Sequence, residues 1–246
     1  MDIIAHRGNK RYTPENTMAA FMSAASSGAD GIELDVQWTK EGVPVVFHDE
    51  KIDRTTNGRG WLRSFTYREL REFDAGSWFH SSFLGEKIPG LEEVLGWLQD
   101  HPRLTLHLEV KKPPVDFQDH LERTFQMLRD YRMTGRTIVS TFYHPLLTYM
   151  ARHSSEAGIE RALLTKTPLF RGTRYAGAIQ ANAIHIRHSF QAVSFYPIWA
   201  RAGIPVRAYR VNRAREALKC RRLNVSGIIT DDPAGMVKAL REPSSP

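Results

Sequence analysis

Cysteine is nearly absent: Cys220 is the only thiol in 246 residues. No intrachain disulfide can form, and a zinc site built on cysteines is excluded. Long apolar runs are missing too, so no membrane span is expected. The opening Met1-Asp2-Ile3-Ile4-Ala5-His6 has neither the basic stretch nor the long apolar stretch of a secretory signal, and the expected location is cytoplasmic. No glycine-rich fingerprint follows the first apolar run, which counts against dinucleotide binding. Internal repeats and low-complexity segments are lacking, and only residues 242–246 read as a frayed tail. Acid is in deficit, with 34 Lys+Arg against 27 Asp+Glu and a net charge of +7. Much of the excess lies between positions 201 and 241, where only Glu216, Asp231, Asp232 and, just beyond, Glu242 oppose the cations. That stretch reads as a solvated helix face, or as a surface for nucleic acid or anionic lipid. The lack of zinc-finger spacing, of a long basic helix and of an aromatic–basic RNA motif weakens the nucleic-acid reading.

What is present is an alternation. Short apolar runs at 3–5, 31–36, 104–110, 137–140, 161–164, 183–186, 206–211 and 227–230 predict strands. Amphipathic stretches at 17–27, 91–98, 117–131, 145–153, 196–202, 213–219 and 233–240 predict helices between most of them. Eight strands alternating with helices over this length predict an α/β fold, a TIM-type (β/α)8 barrel, with a doubly wound open sheet as the runner-up. Residues 1–241 are expected to form one barrel domain. The alternation breaks once. The run 44–47 follows the second strand too closely for a crossover helix, so the two should form an antiparallel hairpin turning near Glu41-Gly42. The symmetry of that turn predicts His48 beside Glu33. Residues 49–88 lack periodicity, exceed an ordinary loop and are expected to form a small inserted subdomain.

Chemistry gathers at predicted strand ends. His6-Arg7-Gly8 follows the first strand, where a barrel keeps its active site. The histidine suits proton transfer and the arginine suits a phosphate, although an isolated histidine there is more often a structural residue. Glu15, in Pro14-Glu15-Asn16-Thr17, either orients a ligand or a histidine or simply opens a helix capped by Asn16 or Thr17. Glu33 and Asp35 share one strand face, and two carboxylates there need a counter-charge such as Mg2+ or Ca2+. The alternative is a pair of solvent-exposed acids. His107, Glu109 and Lys111 share a face of a later strand. Glu109 suits the same cation and Lys111 a phosphate oxygen, or the two form a structural ion pair. His48 closes the hairpin, so two imidazoles can divide the two proton transfers of a phosphodiester displacement.

Taken together, His6-Arg7-Gly8, Pro14-Glu15-Asn16-Thr17, Glu33-x-Asp35, His48-Asp49, Arg54-Thr55-Thr56-Asn57-Gly58, Ile88-Pro89-x-Leu91-Glu92-Glu93, Glu109-x-Lys111 and Gly227-Ile228-Ile229-Thr230-Asp231 resemble the glycerophosphodiester phosphodiesterases, from residue 3 to about 237. The resemblance implies a TIM-type barrel with a small insertion. It also implies metal-dependent hydrolysis of deacylated phospholipids, such as glycerophosphocholine and glycerophosphoethanolamine, to sn-glycerol 3-phosphate and an alcohol. By position, His6 and His48 would be the acid/base pair. Glu33, Asp35 and Glu109 would hold Mg2+ or Ca2+, and Arg7 and Lys111 the phosphate. Phe142 would line the glycerol pocket, and Tyr209 would form an apolar wall. The mechanism implied is attack by the glycerol 2-hydroxyl, then opening of a cyclic phosphate by water. The sequence departs from the family at His107, often Asn, and at Tyr209-Arg210-Val211-Asn212, often Trp-Thr-Val-Asn, where alternation predicts Arg210 facing outward. Two other readings stand beside this one. One is a lysophospholipase D acting on acylated lysophospholipids, with peripheral membrane contact. The other is a catalytically silent barrel binding an anionic ligand or nucleic acid.

Overall fold

Apolar and polar residues alternate strictly along the second strand: Ile32, Leu34 and Val36 point outward and are fully buried, while Glu33 and Asp35 point inward. A period of two on a strand covered by helices puts the oily side under the helices and leaves the inner side for polar groups. In the computed structural model, which describes residues 1–111, 118–152 and 158–241, nine strands follow from such patterns. They are β1 (Asp2–His6), β2 (Gly31–Trp38), β3 (Pro44–Val46), β4 (Thr105–Val110), β5 (Thr137–Thr141), β6 (Glu160–Thr165), β7 (Ala183–Arg187), β8 (Val206–Tyr209) and β9 (Gly227–Thr230). All except β3 are parallel, and β1 pairs with both β2 and β9, which closes an eight-stranded barrel. The open doubly wound sheet is therefore set aside.

Helices cover the outside. The helix Gln118–Asp130 buries Leu121, Thr124, Phe125 and Leu128, the i, i+3, i+4, i+7 stripe of a one-sided helix. The helix Met18–Ser26 starts at Thr17, whose hydroxyl accepts from the Ala20 amide, a cap whose loss costs about 1 kcal/mol. Asn16 does not serve as the cap. It lies outside the helix at φ 58 and binds an acid of the site instead. Gly8 makes the turn after β1 possible: its φ is +81, and a Cβ would meet the Ala20 Cβ at 2.5 Å. Among the described residues, three α-helices escaped the sequence reading, Tyr67–Leu70, Gly172–Ala178 and Phe190–Val193, all short and weakly patterned. The expected tail 242–246 lies outside the described residues, as do the first position of the expected helix 117–131 and the last of 145–153.

The hairpin forms, but its register differs from expectation. Val36 pairs with Val46 and Trp38 with Pro44, one residue off the pairing that set Glu33 opposite His48. The connection is wider than the symmetric Glu41-Gly42 turn: the Thr39 amide bonds the Val43 carbonyl, and Gly42 sits at φ +74. Strand β3 ends at Val46, and His48 reaches the barrel mouth from the loop beyond it. Within 49–88, Ile52, Leu62, Leu70, Ala75 and Ile88 join Val45 and Phe47 in a small separate core, with Phe65, Tyr67 and Phe73 against it. Three of the seven aromatic residues of this segment are thereby used structurally.

Candidate active site

Parallel strands send their C-terminal ends to one rim, and that geometry alone collects side chains that are far apart in sequence. A cavity of about 840 Å3 opens there. His6, Arg7, Glu33, His48, Glu109, Lys111, Phe142 and Tyr209 line it. Asp35, the remaining residue singled out by sequence, is fully buried behind the others.

The acids converge. Ligand oxygens of Glu33, Asp35 and Glu109 all lie within 4.8 Å of one another. Lys111 Nζ lies 2.7 Å from Asp35 Oδ1 and 2.5 Å from Glu109 Oε1. Arg7 Nε lies 3.1 Å from Asp35 Oδ2, and Asn16 Nδ2 donates to that same oxygen at 2.8 Å. Burial raises the Asp35 pKa, but Lys111 and Arg7 outweigh it and hold the acid far below the usual range. Among the described residues, Glu33 receives only the Arg7 backbone amide, at 2.9 Å. Burial, then the charges of Asp35 and Glu109, push Glu33 well above the ordinary value, and burial followed by Asp35 raises Glu109. Three buried carboxylates with two cations leave negative charge uncompensated. A hard divalent cation such as Mg2+ or Ca2+ fits that donor set.

Two histidines of the cavity, His6 and His48, are each braced by a carboxylate. His6 Nδ1 lies 2.6 Å from Asp231 Oδ1. Asp231 is in turn fixed by Asn212 Nδ2 at 2.9 Å and by Lys10 Nζ at 3.2 Å. Burial is the main cause that takes the His6 pKa down to about 4, against the partial support of Asp231. His48 Nδ1 lies 2.5 Å from Asp49 Oδ1, and Asp49 is gripped by Arg54 Nε at 2.5 Å. Burial also lowers His48. In both rings Nδ1 is occupied, which leaves Nε2 for chemistry.

Some supporting residues were not assigned a role from sequence. Asp231 and Asn212 stand some 200 positions from His6, and only barrel closure joins them. Glu15 orients no histidine directly. Its Oε1 accepts from Arg7 at 2.8 Å and from Arg54 at 2.7 Å, tying the phosphate-type arginine to the His48 brace. His107 sits one layer below Glu109, fully enclosed, with Nε2 3.3 Å from Thr105 Oγ1 and its ring 5.7 Å from that of His185. It is not among the clustered carboxylates. The outward placement expected for Arg210 is wrong: it lines the cavity, because its φ of 63 ends strand alternation just past β8. Tyr209 lines the cavity, its hydroxyl donating to the Thr165 carbonyl at 3.1 Å.

A closed barrel carries a carboxylate cluster and two braced histidines at its C-terminal rim, groups suited to the acid/base hydrolysis of a phosphoric diester. The model of the glycerophosphoryl diester phosphodiesterase family matches residues 6–235. A glycerophosphodiester phosphodiesterase of Caldanaerobacter subterraneus is 35% identical over 240 residues, covering 98% of both chains. One from Bacillus altitudinis is 36% identical over 242 residues with the same coverage. Among solved structures, an Oleispira antarctica phosphodiesterase in complex with the product sn-glycerol 3-phosphate superposes with a TM-score of 0.91 at 27% identity, over 98% of this chain and 97% of that one. The chain belongs to the glycerophosphodiester phosphodiesterase family and is a phosphoric diester hydrolase of that kind.

Proposed function

We propose that the protein hydrolyses glycerophosphodiesters, such as glycerophosphocholine and glycerophosphoethanolamine, to sn-glycerol 3-phosphate and an alcohol. The observation that carries this reading is the convergence of two carboxylate-braced imidazoles and the Glu33–Asp35–Glu109 cluster on one cavity. Arg7 and Lys111 line that cavity and would hold phosphate oxygens, Arg7 by its planar fork and Lys111 as a point charge. Phe142 and Tyr209 would pack against the organic part of the diester.

In this reading the glycerol 2-hydroxyl oxygen bonds to phosphorus and its proton passes to Nε2 of one histidine. The bond from phosphorus to the alcohol oxygen breaks, and that oxygen takes a proton from the other histidine. Water then opens the cyclic phosphate with the two transfers reversed. Asp231 and Asp49 hold the rings in the required tautomer and steady the imidazolium that forms. Glu33, Asp35 and Glu109 would bind Mg2+ or Ca2+, which supplies charge neutralisation at the phosphoryl oxygens. A cytoplasmic location belongs to the same reading. Its support is the lone buried thiol and the lack, among the described residues, of a helix long and apolar enough to cross a membrane.

The test is release of glycerol 3-phosphate from glycerophosphocholine with EDTA, then with Mg2+ or Ca2+ restored. Release that returns with metal supports the reading. Release indifferent to thorough chelation removes the metal role, and hydrolysis confined to lysophosphatidylcholine would make the enzyme a lysophospholipase D. Full-rate turnover of diesters lacking a vicinal hydroxyl would eliminate the cyclic intermediate.

A further inference from the structure

Large apolar side chains that face water are distributed unevenly over the barrel. Among the described residues, the connections at the N-terminal end of the strands expose none. The opposite end, where the active site opens, exposes several. The extremes are Phe190, 91% exposed, and Phe170, 87% exposed, with Phe142 at 46%; Tyr12 after β1 and Trp61, Trp78 and Leu84 of the 49–88 segment are exposed elsewhere. Single exposed apolar residues are ordinary on any protein surface. The three phenylalanines are not scattered: they follow β5, β6 and β7, which are neighbours in the barrel wall, so they lie along one arc of the rim.

The same arc is purely cationic. The connections 142–144, 166–171, 188–189 and 210–213 contain no Asp or Glu. They carry Lys166, Arg171, Arg210 and Arg213, and Arg187 stands at the end of β7. None of these cations forms an ion pair within the described residues. Lys166 instead lies over the Phe142 ring at 5.7 Å, and Arg171 over the Phe170 ring at 5.5 Å. Aromatic rings interleaved with unpaired cations, projecting from one edge, match the boundary of an anionic bilayer, where rings enter the acyl edge and cations meet headgroups.

We propose that the β5–β8 arc docks the enzyme on an anionic lipid surface with the cavity mouth facing the bilayer. The proposal goes beyond the catalytic reading and does not depend on it, because its test measures binding. The full chain is sedimented with vesicles of phosphatidylcholine alone and of phosphatidylcholine with phosphatidylglycerol in about equal parts, at low and high salt. Binding should require phosphatidylglycerol and weaken with salt as the headgroup charge is screened. The double variant F170S/F190S should bind at least about tenfold more weakly, since the apolar area that enters the membrane is gone. Both residues lie outside the cavity, so its circular dichroism and its hydrolysis of dissolved glycerophosphocholine should match wild type. R215E/R222E, on the helix Ala214–Arg222 at the outer wall, should bind as wild type does.

Equal sedimentation with both vesicle types overturns the proposal. So does full binding by F170S/F190S, or loss of binding in R215E/R222E, which would move the contact to the outer helix. A concentration-dependent dimer in sedimentation velocity that disappears in F170S/F190S would show that a second copy, not a membrane, covers the arc.

Discussion

The barrel mouth has two unlike halves. Along β9, β1, β2 and β4, nearly every charge has an opposite partner. Arg7, Lys10, Arg54 and Lys111 each contact a carboxylate, and His6 and His48 are each braced by one. Along β5 to β8 the connections hold cations and exposed rings without an acid among them. Buried charges are tolerated only when paired, so the first half is fixed in place and suits chemistry that needs defined proton positions. The second half keeps its cations exposed and hydrated, which suits a partner that arrives from outside. Among the described residues, one end of one barrel thus separates paired charges from unpaired ones.

The sharpest break of this contrast is in the paired half. H6A and H48A should each lose about 10²–10⁴-fold in kcat, measured by glycerol 3-phosphate release, with little change in folding. E33Q or E109Q should lose comparable activity and should also weaken Mg2+ or Ca2+ binding, read directly by calorimetry. D231N keeps the ring of His6 in place but removes the charge that steadies its imidazolium. It should cost about 10–100-fold in kcat. K111M, or EDTA treatment of wild type, also falls in this paired group, and added metal should rescue only the latter.

Substitutions in the unpaired half should be smaller and of another kind. R187E or K166E should change kcat by less than about threefold and act mainly on KM, more for anionic diesters than for glycerophosphocholine. An equal loss in kcat would erase the distinction between the halves. The smallest effect concerns stability below the mouth. His107 and His185 are enclosed and held well below the ordinary histidine value, by burial first and then by Arg207. His6 lies near 4 for the burial reason already given. With folded values lower than unfolded ones, the unfolded chain binds more protons as pH falls below about 6.5, so stability should drop over that range. The double variant H107L/H185L should flatten the decline, monitored by thermal unfolding between neutral and mildly acid pH.

The strict alternation in Ile32–Val36 and Leu106–Val110, and the one-sided stripe of 118–130, follow from residue order alone, because side-chain direction repeats every two residues on a strand and every 3.6 on a helix. For that reason the eight barrel strands, the hairpin and the spacing that aligns Glu33 with Asp35 and Glu109 with Lys111 could all be read from sequence. The short helices at 172 and 190 could not, since neither spans enough turns to show a period. Hairpin register was also beyond reach, because a glycine at positive φ widened the turn by one residue's worth of pairing.

What tertiary structure alone decided is which distant groups meet. Closure of β1 on β9 brings Asp231 to His6, and the left-handed turn at Arg210 swings a cation into the cavity that alternation had sent outward. It also showed that the arc after β5, β6 and β7 exposes its phenylalanines, since exposure depends on what a neighbouring element covers. Sequence determined the identity and face of each strand residue of the candidate site, because those are local properties of a strand. Pairing, pKa and exposure are properties of the closed barrel, because they depend on charges and atoms brought close from opposite ends of the chain.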